Sequence, residues 1–183
     1  ILIAQDSTFY GQDIYGTRKI TELIKELSKI NGIEWIRIHY AYPTGFPTDL
    51  LVEMAHNSKV CKYIDIPFQH ISDSVLKSMR RGITKQETLD LVAKIRNEVP
   101  NIAIRTTLLV GHPNETEQDF EELVEFVKCS KFERLGVFAY SPEEGTHSFT
   151  IPDSIPLAEK ERRVGVIMEI QREISAEINR NRI

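Results

Sequence analysis

The stretch Ile102-Ala103-Ile104-Arg105-Thr106-Thr107-Leu108-Leu109-Val110-Gly111-His112-Pro113-Asn114-Glu115-Thr116 sets the architecture of this chain. Pro100-Asn101 breaks the helical pattern before it, and the run Ile102–Val110 reads as a strand. Alternate residues of a strand face the same way. Arg105, Thr107, Leu109 and Gly111 therefore share one face, and Ile104, Leu108 and Val110 share the other. One face suits packing on helices and the other carries charge. Beyond the turn, Thr116 with Asp119 has capping-box spacing, and Phe120, Leu123, Val124 and Val127 form a helical stripe.

The same unit recurs outward in both directions. Ile1–Gln5 and Ile33–Tyr40 read as strands before it, Lys62–Ile66 as a third, and Arg134–Ala139 as the last. On the second, Trp35, Arg37 and His39 oppose Ile36 and Ile38; on the third, Asp65, Pro67 and Gln69 oppose Ile64 and Ile66. Between them, Ile20, Leu23, Ile24 and Leu27 make a helical stripe stopped by Asn31-Gly32. Thr48 is placed to cap a short helix with Leu51, Met54 and Ala55, and Ser72 opens another. Thr84 with Glu87 is a second capping box, for a helix running to about Val99. Pro156 begins a long helix with Val164, Ile167, Met168, Ile174 and Ile178 expected on its inner face. No low-complexity linker interrupts the 183 residues, which predicts a single domain over 1–183, with about 150–183 a C-terminal helix.

Strand–helix repeats imply parallel strands joined by right-handed crossovers. In an open doubly wound sheet both faces should read apolar, and no G-x-G-x-x-G follows a strand. The expected fold class is therefore α/β, a partial parallel (β/α) barrel whose polar face could hold a charged ligand. A structural ion pair between Asp65 and Arg105 also accounts for the charge, and the two accounts are compatible.

Net charge is −4, so bulk electrostatics give no footprint for nucleic acid. No apolar run approaches the roughly 20 residues that span a bilayer, so no membrane role is expected. Two cysteines, Cys61 and Cys129, form no disulfide framework and suit a reducing cytoplasm; both are expected as buried filler. The five histidines lack zinc-ligand spacing, so no metal site is expected; His56 and His147 should lie at the surface. Ser78-Met79-Arg80-Arg81-Gly82 could dock an acidic partner or be a solvated helix end. The short apolar start at Ile1, without a basic region, suggests a chain that opens inside a strand.

Barrel enzymes place chemistry at the C-terminal strand ends. Here those ends read Gln5-Asp6, His39-Tyr40, Gln69-His70, Gly111-His112-Pro113 and Tyr140-Ser141. Gly111 permits close backbone approach by a ligand, and Glu115 precedes a helix N-terminus. An ordinary βα turn would look the same.

Longer strings carry a resemblance. Ile3-Ala4-Gln5-Asp6 with Tyr10-Gly11, Trp35 through Pro43, Tyr63 through Asp73, Arg105 through Pro113 with Glu115-Thr116, and Phe138-Ala139-Tyr140-Ser141 with Glu144-Gly145-Thr146 resemble, in order, the barrel of radical S-adenosylmethionine methylthiotransferases. Gln69-His70-Ile71-Ser72 is similar to the branch that modifies an aspartate of a small-subunit ribosomal protein; the sister branch, which modifies adenosine in transfer RNA, usually has Gln-Ser-Gly-Ser there. Asn114 and Phe68 depart from the family's usual glycine and leucine, but asparagine tolerates a left-handed turn.

The resemblance implies S-adenosylmethionine, two [4Fe–4S] clusters, an electron donor and a cytoplasmic ribosomal-protein substrate. It implies cofactor contacts at Gln5, Asp6, Gln69, Arg105, Val110, Gly111, Glu115, Phe138, Ala139 and Tyr140. Arg37, His39 and His70 would face the cluster or the substrate aspartate. It also implies a barrel lacking its first strand and C-x-x-x-C-x-x-C cluster loop, a missing C-terminal module, and hence no catalytic residue and no activity in the isolated chain. The rival expectations are the transfer-RNA branch, a non-catalytic binding module, and an ordinary barrel aldolase or isomerase. No lysine falls on an assigned polar strand face, which disfavours a Schiff base.

Overall fold

The computed structural model describes residues 1–181. Its helices are α1 (Gln12–Tyr15), α2 (Ile20–Ser28), α3 (Asp49–His56), α4 (Asp73–Ser78), α5 (Lys85–Glu98), α6 (Glu117–Ser130) and α7 (Leu157–Arg180). Its strands are β1 (Ile36–Ile38), β2 (Val60–Asp65), β3 (Ala103–Val110) and β4 (Arg134–Ala139), in the order β1-β2-β3-β4. The β1–β2 and β2–β3 pairs are parallel, as the strand–helix alternation requires. The expected strand at Ile1–Gln5 reduces to a single parallel bridge between Leu2 and Ile38.

Two compact units share the chain, each built from two segments. The first comprises Ile1–Pro67 and Asp90–Arg105. Its β2–β3 register pairs Tyr63 with Ala103, Ile64 with Ile104 and Asp65 with Arg105. Ile24, Leu50, Leu51, Met54, Ile64, Ile95 and Ile104 form its buried core. Strand parity holds here: Ile36 and Ile38 are buried while Trp35 is 78% exposed.

The second unit comprises Phe68–Leu89 and Thr106–Ile183, described to residue 181. Phe68, Phe126 and Phe132 pack with ring centroids 5.3–6.1 Å apart, and Leu108, Val110, Leu123 and Val127 are buried in the same unit. Both capping boxes form: Thr116 with Asp119 on α6, and Thr84 with Glu87 on α5. Thr48 lies at the start of α3 in helical backbone and makes no cap, and Ser72 turns its hydroxyl to the side chains of Asp119 and Ser74 rather than to a backbone N–H of α4.

Helix α7 corrects one expectation. The residues it buries are Lys160, Arg163, Ile167, Gln171 and Ile174, whereas Met168 is exposed. Its inner face is polar over the first two turns because internal acceptors await it there. Gln171 likewise donates to the Phe132 carbonyl at 2.8 Å. Neither cysteine is buried: Cys61 is half-buried on β2 and Cys129 exposed on α6.

Candidate functional site

Strand ends in this chain share an unusual backbone. Tyr40 after β1, Gln69 after β2 and Gly111 after β3 have φ of 56°, 70° and 73°. Only glycine adopts this region freely, so Tyr40 and Gln69 are strained, and such strain concentrates at functional sites. The Gln69 backbone is fixed by bonds on both sides: its N–H donates to Thr107 O at 2.9 Å and its carbonyl accepts from Leu109 N at 2.8 Å.

In the first unit, β1, β2 and β3 bring five side chains together. The Arg37 guanidinium lies 4.9 Å from the Tyr63 ring centroid, and the His39 ring is 5.5 Å from the same ring. Asp65 is 3% exposed; its carboxylate lies 3.8 Å from His39 Nδ1 and 3.9 Å from Arg105 Nε. The Asp65–Arg105 contact is thus a loose ion pair, and the Arg105 side chain is 49% exposed. A hydrogen bond to Tyr63, with Asp65 nearby, raises the Arg105 pKa. His39 Nε2 is buried with no hydrogen-bond partner. At the chain's start, Asp6 Oδ1 accepts from Thr8 N at 2.9 Å, and Gln5 and Asp6 line an open cavity of about 610 Å³ with Phe9, Arg18, Tyr42 and Thr44.

In the second unit the candidates gather at the ends of β3 and β4. Tyr140 N–H donates to Val110 O at 2.8 Å, tying the two ends together. Glu115 turns back rather than outward: Oε2 accepts from Gly111 N at 2.5 Å and His112 N at 3.1 Å. Its Oε1 accepts from Arg163 at 2.8 Å, and the side chain is fully enclosed. Burial pushes the Glu115 carboxyl up, against the pull of Arg163. Phe138 is 63% exposed, Ala139 half-buried, and the Tyr140 hydroxyl buried without a partner.

His70 departs from the expectation that it faces a substrate. It is completely buried, its Nδ1 accepts from Ser72 N at 3.0 Å, and burial lowers its pKa to about 4. Beside it, burial works against ionisation of Asp119, but donors on Ser72, Thr116 and Ser74 outweigh burial and hold that carboxyl well below the usual range.

Tyr63, Lys160 and Arg163 were not among the sequence candidates. Tyr63 has the same strand parity as Asp65, and that signal pointed to it. The two cations on α7 carried no such signal, because a polar residue on a long helix ordinarily faces water.

The Radical SAM superfamily family profile matches residues 4–127. This chain belongs to the radical SAM superfamily. Within it, the chain is 56% identical over all 183 residues to "Ribosomal protein uS12 methylthiotransferase RimO" of Cytophaga hutchinsonii, covering 42% of that protein. The protein of the same name from Flavobacterium johnsoniae is 55% identical over the whole chain, again with 42% of it covered. The chain spans about two fifths of the length of these curated relatives. Among solved structures, coproporphyrinogen III oxidase HemN from Escherichia coli, described as a radical SAM enzyme, aligns with TM-score 0.66 at 17% identity, over 85% of this chain and 36% of that one. The radical S-adenosylmethionine methyltransferase TsrM from Kitasatospora setae gives 0.53 at 19%, over 66% and 24%. These two likenesses speak to the fold.

The superfamily implies S-adenosylmethionine and a [4Fe–4S] cluster. A cluster needs several thiolates. Cys61 and Cys129 lie in different units, and no group of three or more His, Cys, Asp or Glu among the described residues could hold a metal ion. These residues do not fit a cluster. S-Adenosylmethionine fits better: within the first unit, the half-exposed guanidinium of Arg105 is a donor fork of the kind that a carboxylate takes.

Proposed function

We propose that this chain is the S-adenosylmethionine-holding part of a methylthiotransferase that places a methylthio group on the β-carbon of an aspartate in ribosomal protein uS12. The carrying observation is the agreement with proteins named for that activity, 56% over all 183 residues. A substrate on the ribosome places the activity in the cytoplasm. No helix among the described residues is long and apolar enough to cross a membrane.

S-Adenosylmethionine, held by these residues, would supply hydrogen-atom abstraction at the substrate carbon once one electron from the reduced cluster cleaved its C–S bond and released methionine. Arg105 binds the methionine carboxylate through its exposed fork, with Tyr63 and Asp65 beside it. Gln5 and the free oxygen of Asp6 take the amino group. Gln69, Val110–Gly111 and Phe138-Ala139-Tyr140 receive the ribose and adenine, with Phe138 offering an apolar face and Tyr140 a hydroxyl. Glu115 acts from beneath, by fixing the amides of Gly111 and His112. Arg37 and His39 address the substrate aspartate. Thiolates for the cluster, and for the second cluster the resemblance implies, are not supplied by these 183 residues. An electron donor completes the reaction.

The sister reading, with transfer RNA as substrate, is separated by offering the reconstituted enzyme carrying this chain both uS12 and transfer RNA. Mass spectrometry should find the methylthio group on the uS12 aspartate. Modification confined to the RNA would contradict the proposal.

A further inference from the structure

We infer that Lys160 is a positioning residue for cofactor binding: from α7 it sets the relative placement of the β3 end at Gly111 and the β4 end at Tyr140. This rests on the reading of Gly111 and Tyr140 as cofactor contacts.

A lysine that is 4% exposed is unusual unless it is paired and bonded. Lys160 is both. Its Nζ donates to Asp153 Oδ2 at 2.5 Å and to the Tyr140 carbonyl at 3.2 Å, and lies 5.0 Å from the Tyr140 ring centroid. Its aliphatic stem covers Gly111 so closely that a Cβ at 111 would stand 2.4 Å from Lys160 Cγ and 2.9 Å from Cδ. One side chain therefore packs on one strand end and holds the backbone of the next.

One turn along, Arg163 completes the grip through Glu115. The guanidinium donates to Glu115 Oε1 at 2.8 Å, and the other carboxylate oxygen takes the Gly111 amide. Gly111 is thus held from one side by the Lys160 stem and from the other through its own N–H. Two cations three residues apart lie on one helix face, so a shift of α7 would move the turn at 111 and the Tyr140 carbonyl together. Asp153 brings the loop before α7 into the same arrangement. A hydrophobic residue would fill the space beside Gly111 but offer nothing to Tyr140 or Asp153.

That difference defines the test. Lys160→Met keeps the stem and removes the ammonium. In the reconstituted enzyme carrying this chain, KM for S-adenosylmethionine should rise about tenfold, with kcat at saturation changed little. Lys160→Arg, which restores the donor, should recover part of the loss. Should Lys160→Met not fold, Asp153→Ala, at a less buried position, poses the same question and should raise KM in the same direction. Hydrogen exchange of the unmodified enzyme isolates the underlying reading: S-adenosylmethionine should protect the amides around Gly111 and Tyr140. No protection there would remove those contacts from the site. Protection there, with unchanged KM in the variant that folds, would overturn the role given to Lys160.

Discussion

Arg163 and Glu115 form an ion pair at 2.8 Å in which neither side chain is more than 6% exposed. Burial works against the arginine's charge, but Glu159 and Glu115 more than compensate and raise its pKa. A buried pair broken on one side leaves a charge without compensation, at a cost of about 3–5 kcal/mol. Arg163→Met should therefore lower stability by about 3 kcal/mol in a denaturant titration. Glu115→Gln keeps the shape but sets an amide N–H2 donor against either the Arg163 guanidinium or the Gly111 and His112 N–H groups, so it should also lower stability. Equal stability of Arg163→Met and the unmodified protein would mean that the pair does not anchor the turn.

His70 predicts a pH dependence. Its folded-state pKa is about 4 against an ordinary 6.5, so protons favour the unfolded chain between those values. Stability from this residue is complete above about pH 6.5 and is lost as pH falls toward 4. The slope it adds is at most about 1.4 kcal/mol per pH unit. His70→Asn retains an acceptor for the Ser72 amide and has nothing to titrate, so its stability should fall less steeply across that window. Identical slopes would show that the imidazole is not protected as described.

Gly111→Ala faces two penalties. The backbone sits at φ +73°, and the new Cβ meets Lys160 Cγ at 2.4 Å. Strain of this kind costs about 1–3 kcal/mol. The melting temperature should fall, and S-adenosylmethionine affinity with it. A variant as stable as the parent would show that α7 yields freely at this point.

Much of this was legible in the sequence. β4 has the bounds that its composition suggested, and both capping boxes form because each needs only two residues at fixed spacing. Strand parity separated Ile36 and Ile38 from Trp35 because a pleat alternates whatever the tertiary context. The strand at Ile1–Gln5 shrank to one bridge because alternation predicts tendency, while pairing requires a neighbour in register. The inner face of α7 differs from its apolar stripe for another reason: Lys160, Arg163 and Gln171 are buried by partners far away in sequence, the Tyr140 carbonyl, Glu115 and the Phe132 carbonyl. Periodicity of apolar residues does not register such partners. Glu115 and His70 were placed near the right turns, but only the fold shows that they face inward.

Arg105 carries the electrostatic part of the cofactor proposal. Arg105→Leu should weaken S-adenosylmethionine binding on the order of tenfold or more by calorimetry. Tyr63→Phe, which removes only the hydroxyl, should weaken it less. Unchanged affinity in Arg105→Leu would take the methionine carboxylate elsewhere.

Exchange of this chain into a relative tests whether it supports methylthiolation of uS12. The corresponding stretch of the Cytophaga hutchinsonii relative is replaced by these 183 residues, the clusters are reconstituted, and the product is given a uS12 substrate and S-adenosylmethionine. A methylthio group should appear on the uS12 aspartate, and at sub-saturating S-adenosylmethionine its yield should fall when Arg105 is changed to Leu. A folded, cluster-loaded exchange protein that binds S-adenosylmethionine and leaves uS12 unmodified would contradict it.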